Sequence, residues 1–291
     1  MRPAKTSSIE IRPTGAALGA DVENVDVNKL SDEAFGAIRA ALLDNLVVRI
    51  RGTEIDDASF IGLARRFGEV EPPEERTRTL SMTVPGFPEM SIISNIVENG
   101  VAKGESGDGE LRWHTDHGFM ETPVTLSMLL AREVPASGGD TSFANMYLAY
   151  EQLPEGLRTR VEGRSIKHQA SHTSTGQRRP GYRDIASDDP RELPGPLHPI
   201  VRSHPESGRK ALYLGRRFGS YAPPLSLEES EALLDELWDH ATRPALAWTQ
   251  TWQTGDLIVW DNRCTMHRRE SFAGQGRRRM HRLMTKGERP I

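Results

Sequence analysis

The stretch Leu111-Arg112-Trp113-His114-Thr115-Asp116-His117-Gly118-Phe119 constrains what this chain can fold into more than any other. His114 and Asp116 are two residues apart, so on an extended strand their side chains leave the same face and can reach one ion. That is half a metal site, and the third ligand must come from elsewhere. The best candidate is His267, in Trp260-Asp261-Asn262-Arg263-Cys264-Thr265-Met266-His267, at the end of an apolar strand. Two histidines and a carboxylate on one triangular face leave the opposite face open, which is the arrangement of non-haem Fe(II) oxygenases. An H-x-D triplet alone carries little weight, and a surface pair or a core histidine is the plainer alternative. The flanks argue for more. Trp113 and Phe119 would anchor the segment in the core, where Asp116 can ionise only at a cost of several kcal/mol unless a cation pairs with it.

Composition narrows the partners. The 291 residues are 36% hydrophobic and 27% charged, enough for a substantial core, and a net charge of -4 disfavours nucleic acid. The single cysteine, Cys264, excludes a disulfide framework and a thiolate metal cage, and fits a reducing cytoplasm. Cys264 itself reads as a buried packing thiol. The amino terminus lacks the apolar core of a signal peptide, and no run approaches the roughly 20 apolar residues of a membrane helix.

Short strands joined by turns dominate the pattern. Residues 9–22 read as an edge strand and turn, and Ser31 caps a helix with Phe35, Ile38, Leu42 and Leu43 at helical spacing. Residues 46–50 form a buried strand, and 58–67 a second helix ended by a left-handed Gly68. Segments 90–94, 125–131, 140–143, 198–202, 210–214, 245–253, 257–260 and 280–285 are strand-like. Short helices are expected over 146–152 and 154–162. The longest, Ser226 to Ala241, carries a Ser226/Glu229 capping box. Pro, Gly and charge concentrate in two lid-like segments, about 71–111 and about 168–197. The second holds Arg178, Arg179 and Arg183, which either draw an anionic substrate or solvate the lid. The expected architecture is one domain over 1–291, mainly β with flanking α-helices, built on a double-sheet jelly roll.

The run Arg277-Arg278-Arg279-Met280-His281-Arg282 alternates Arg278, Met280 and Arg282 on one face with Arg277, Arg279 and His281 on the other. A solvated basic run is the common reading. Because Leu283 and Met284 follow, at least one guanidinium is expected to point into a cavity, where it needs an anion such as a dicarboxylate cosubstrate.

Five motifs in order now resemble one family: Trp113-His114-Thr115-Asp116; Gly138-Gly139-Asp140-Thr141; His198-Pro199 with Gly208 to Tyr213; Trp260-Asp261-Asn262-Arg263 to His267; and Arg278 to Arg282. They are similar to the TauD/TfdA (taurine dioxygenase) family of Fe(II)- and 2-oxoglutarate-dependent dioxygenases, over nearly the whole chain. The resemblance implies a double-stranded β-helix, with iron on His114, Asp116 and His267. It implies that Arg278 holds the distal carboxylate of 2-oxoglutarate with help from the Thr141 hydroxyl, and that Arg282 faces the reactive centre. It also implies O2 as oxidant, succinate and CO2 as products, a hydroxylated small molecule, and a dimer or tetramer. Taurine is disfavoured as substrate. Taurine-type members carry a histidine shortly after Phe67-Gly68, where this chain has Glu69-Val70-Glu71-Pro72-Pro73, and Gly109-Glu110-Leu111-Arg112 replaces an Asn-bearing segment.

Other outcomes of the same family chemistry are desaturation and oxidative cyclisation. Outside it, a zinc or manganese hydrolase would use His114, Asp116, His117 and His267 and leave Arg278 and Thr141 idle. A non-catalytic metal-binding jelly roll would have lost a ligand or the cosubstrate site. His117 is either a surface residue or part of the pocket.

Overall fold

The computed structural model describes residues 9–74, 81–172, 178–179, 182 and 187–291. Strands β1 (Glu10–Pro13) and β2 (Ala20–Glu23) pair antiparallel and lead into α1 (Asp32–Asn45). The Ser31 side chain accepts the Ala34 N–H at 3.1 Å, and Asp32 and Glu33 sit at the positive end of the helix dipole. Leu46 ends the helix in the left-handed region, φ 66°, its N–H returning to the Leu42 carbonyl. That conformation costs a non-glycine residue roughly 1–2 kcal/mol, which burying the leucine side chain, at about 1.5–3 kcal/mol, offsets. The expected strand therefore starts one residue later, as β3 (Val47–Ile50).

Helix α2 (Asp57–Phe67) is capped by Asp56. Gly68 is not left-handed as expected but extended, because the chain runs directly on to bridge Val70 with Thr285. Four further two-residue strands, β4 (Thr83–Val84), β6 (Val97–Glu98), β7 (Val101–Ala102) and β8 (Glu105–Ser106), flank the expected β5 (Phe87–Ser94) before β9 (Leu111–His114). Pairs this short have no period for sequence to reveal.

The remainder follows in order: β10 (Leu126–Glu133), β11 (Thr141–Asn145), α3 (Met146–Glu151), α4 (Glu155–Val161), β12 (Ser165–Lys167), β13 (Leu197–Pro199), β14 (Val201–Ser203), β15 (Lys210–Leu212), α5 (Leu227–Ala241), β16 (Ala247–Gln250), β17 (Leu257–Asp261), β18 (Thr265–Arg269) and β19 (Arg279–Met284). No helix among the described residues is long and apolar enough to cross a membrane.

Two sheets carry the fold. The larger runs β1-β2-β3-β17-β10-β19-β5-β4, with β8 added beside β5; the smaller runs β16-β11-β18-β9. Leu129, Ile258, Trp260 and Met280 from the larger sheet and Phe143 and Met266 from the smaller share one core. On its other face the larger sheet packs Val48, Met128, Leu130, Val259 and Leu283 against α1 and α2, through residues such as Ile38, Leu42, Phe60 and Ile61. The core between the sheets is the jelly roll, and α1 and α2 lie outside it.

On α5 the Ser226 side chain accepts the Glu229 N–H while Glu229 accepts the Ser226 N–H, and Leu233, Leu234 and Leu237 are buried. Ser226→Ala removes one of those bonds. It should lower unfolding free energy by about 1 kcal/mol without changing the denaturant m-value. A chemical denaturation curve that does not move would show that packing alone fixes the start of α5.

Candidate active site

His114 closes β9, and its strand partner on β18 is His267, Cα opposite Cα. Antiparallel pairing thus places the two imidazoles side by side, ring centroids 4.2 Å apart. His267 lies in the middle of β18 rather than at the end of the preceding strand. Asp116 is not on β9 either. It lies past the strand in a turn over 116–119, helped by His117 at φ 53°. The turn carries its carboxylate back, so that Asp116 Oδ1 is 3.6 Å from His114 Nε2 and 3.8 Å from His267 Nε2. One donor atom from each residue falls within 4.8 Å of the others, and all three residues are buried.

Residues around the trio fix how each donor points. His114 Nδ1 sits 2.7 Å from the Arg112 carbonyl, which requires the proton on Nδ1 and leaves the Nε2 lone pair facing Asp116. Ser127 Oγ donates to Asp116 Oδ2 at 2.8 Å. The Asn262 side chain clasps the turn: its Oδ1 accepts the Asp116 N–H, and its Nδ2 donates to the Asp116 and Val124 carbonyls, all at 2.9 Å. His267 is held by packing, between Trp260 (5.0 Å) and Phe143 (6.1 Å).

Burial pushes the His267 imidazole down to about 3, with His114 adding to the effect. Burial works the other way on Asp116, but the facing histidines and Arg282 outweigh it and hold the carboxyl well below its usual range. At neutral pH the result is a neutral imidazole beside an ionised carboxylate. That is the state a divalent cation binds.

A second feature adjoins this one along β18. Arg278 is 1% exposed and Arg269 is 4% exposed, and among the described residues neither has a carboxylate within 4 Å. Burial lowers Arg278 to about 9 and Arg269 to about 10, and Arg269 further depresses Arg278. Both guanidinium carbons lie near the Phe272 ring, at 5.0 Å for Arg269 and 5.7 Å for Arg278. Thr141 on β11 is the Cα partner of Arg269, and its Oγ accepts the indole N–H of Trp252, whose ring lies 5.7 Å from Arg278. Taking an arginine from water without an anion costs several kcal/mol. Two such groups packed on one aromatic ring are a candidate place for an anion.

Arg282 faces inward, like Met280 and Arg278. It is the Cα partner of Leu129, diagonal to Ser127 on the same face, and its charge is felt at Asp116, His117 and His267. Its guanidinium is engaged by Glu105 of β8 at 2.6 Å. Arg277 and Arg279 instead pair with Glu133, and His281 with Asp57, on the outer face. His117 is half-buried with its ring 5.6 Å from Phe119, and burial takes its imidazole down to about 4. Arg178 pairs with Asp188, and Arg179, 7% exposed, pairs with Glu74 and stacks on Phe119 at 3.7 Å. Arg183 lies outside the described residues. Cys264 is buried.

An open groove of about 940 Å³ reaches His114, with Trp113, Arg112, His172, Arg216 and Phe218 among its walls. A second buried trio, His204, Asp261 and Cys264, is satisfied internally. His204 Nδ1 accepts the Ser207 N–H, its Nε2 meets Asp261, and Asp261 accepts three bonds from Arg263, one of them from its backbone N–H. That leaves no lone pair set for a metal. Ser127, Asn262, Trp252, Arg269 and Glu105 could not be assigned to the site from sequence, since only register and turn geometry bring them there.

The sequence matches the family described as taurine catabolism dioxygenase TauD, TfdA family over residues 10–284. It is 32% identical over 281 residues to the (S)-phenoxypropionate/alpha-ketoglutarate-dioxygenase of Delftia acidovorans, covering 91% of each chain. It is 32% identical over 297 residues to pentalenolactone F synthase of Streptomyces arenae, covering 95% of each. The fold superposes on a crystal structure of a taurine dioxygenase from Burkholderia xenovorans with a TM-score of 0.79 at 31% identity, covering 98% of this chain and 93% of the other.

Ser127→Ala deprives Asp116 Oδ2 of its donor while leaving the three candidate ligands in place. Loss of such an outer partner typically weakens a metal site about 10–100-fold. Calorimetric titration with Mn(II) should register that drop, whereas an unchanged Kd would mean that the Asn262 clasp alone orients the carboxylate.

Proposed function

The chain belongs to the TauD/TfdA family of 2-oxoglutarate-dependent dioxygenases, and on that premise we propose that it hydroxylates a C–H bond of a small molecule, with His114, Asp116 and His267 as its iron ligands. It is an oxidoreductase using Fe(II), 2-oxoglutarate and O2, and its relatives act on varied small molecules. Membership displaces the hydrolase and non-catalytic readings.

The observation that carries the residue assignment is the pairing of an open three-donor face with a buried arginine that lacks a counterion. Neutral imidazole and ionised carboxylate are the donors an Fe(II) oxygenase site requires. Arg278, buried near the Trp252 ring whose indole N–H donates to Thr141, suits the distal carboxylate of a five-carbon dicarboxylate whose other end reaches that face. Bound iron and 2-oxoglutarate supply the O2 chemistry that yields succinate, CO2 and an oxidised C–H bond.

The protein's part is orientation and exclusion of water. Ser127 and the Asn262 clasp hold the carboxylate ligand, the Arg112 carbonyl holds one imidazole, and Phe143 and Trp260 hold the other. Arg282 faces the substrate side with its charge offset by Glu105. A carboxylate or sulfate on the substrate would compete with Glu105 for that guanidinium, while a neutral substrate would lie against the intact pair.

Anaerobic protein given Fe(II) and then 2-oxoglutarate should develop a weak visible charge-transfer band that requires both. His114→Ala should abolish it, and Arg278→Ala should raise the 2-oxoglutarate concentration needed by at least tenfold, the loss of one charge-assisted contact. No band in folded, iron-loaded wild type would overturn the assignment of these residues.

A further inference from the structure

The family pattern gives the distal carboxylate of 2-oxoglutarate one arginine, Arg278, with a threonine beside it. Arg269, packed on the same Phe272 ring as Arg278, is a second buried guanidinium that this pattern leaves unused. On β18, His267 and Arg269 are two residues apart and so point to the same inward face, one toward the candidate metal donors and the other toward Thr141, its Cα partner. Arg269 Nη2 donates to the Ser106 carbonyl at 3.1 Å and also to the Gly109 carbonyl. Its Nε and Nη1 are buried and have no acceptor, and Arg278 Nε is in the same condition. Phe272 packs against both side chains, and Gly139 lies close against Arg278, where a Cβ would come within 3.4 Å of its Cδ.

Like charges buried together without an anion repel and are poorly solvated, so the arrangement is stable only if something negative completes it. We propose that Arg269 is a second cosubstrate arginine, clamping the distal carboxylate of 2-oxoglutarate together with Arg278 and the Thr141 hydroxyl. The proposal rests on the cosubstrate reading given above. Two planar guanidinium groups can approach a carboxylate from both sides, so each of its oxygens accepts a charge-assisted bond from a different residue. The Nη2 bonds to Ser106 and Gly109 keep the Arg269 side chain extended while Nε and Nη1 remain available.

A structural brace for the 105–109 loop is the competing role, and analogue binding separates the two. The measurement is calorimetric binding of 2-oxoglutarate and of 2-oxopentanoate, which carries a methyl group in place of the distal carboxylate, to the Mn(II)-loaded protein. Arg269→Gln should weaken 2-oxoglutarate roughly tenfold to a hundredfold and leave 2-oxopentanoate within about twofold. Arg269→Lys, which keeps the charge, should lose less. Equal weakening of both ligands, or no change in either, overturns the proposal in favour of a brace. Wild type that binds neither ligand would instead overturn the cosubstrate reading itself. If neither variant folds, wild-type NMR of arginine Nε–H groups decides: two buried signals should shift when 2-oxoglutarate is added, and a shift of only one overturns the clamp.

Discussion

A carboxylate buried between two sheets sets the terms for the rest of this site. Asp116 is 7% exposed, and no residue type is less suited to such a place without compensation. The turn that carries it is not stabilised by regular strand pairing. It is held by one asparagine that satisfies two carbonyls and one N–H, and by one serine on the facing sheet. The expense of an unpaired buried polar group makes each of those bonds obligatory. Asn262 follows β17 directly, so the larger sheet effectively holds the turn of Asp116 that follows the smaller sheet's β9.

The larger sheet serves two purposes through its two faces. Alternation along β19 shows the division. Met280 and Arg282 face the space between the sheets, whereas His281 and Leu283 face α2 and the outer core. Along β10, Ser127 and Leu129 face inward while Met128 and Leu130 face the helices. The outer face is an ordinary apolar layer that contributes stability. The inner face gives up part of its apolar area to polar groups at the end where the candidate ligands stand.

Most buried or half-buried arginines of the described residues have a carboxylate to meet their charge, the loosest being Arg202 with Glu288 at 3.7 Å. Arg49, Arg132, Arg179, Arg263 and Arg282 all have carboxylate partners within 3.1 Å, even where partly or wholly buried. Arg269 and Arg278 do not, though they are among the most buried. Most other buried cations are compensated, whereas these two pack on the same Phe272 ring without a carboxylate partner among the described residues. The contrast is what makes the pair a candidate anion site in physical terms, because the stabilisation missing there is available to a ligand.

Much of this was determined by sequence alone. The Ser226/Glu229 capping box, the buried Ile38 and Leu42 of α1, and the shared face of Arg278, Met280 and Arg282 follow from local periodicity, and local periodicity encodes which face is buried; the residue types of His114, Asp116 and His267 marked them as candidate donors. What only the tertiary structure decided depends on register and on turns. Asp116 reaches its partners from beyond the strand, Gly68 is extended because the chain goes on to pair with Thr285, and Leu46 turns left-handed because its side chain is buried. Arg269 lies opposite Thr141, and Glu105 reaches Arg282, through pairings between segments more than a hundred residues apart. No local pattern records such pairings, since shifting a strand by one residue would leave the composition of every segment unchanged and turn each of those side chains to the other face.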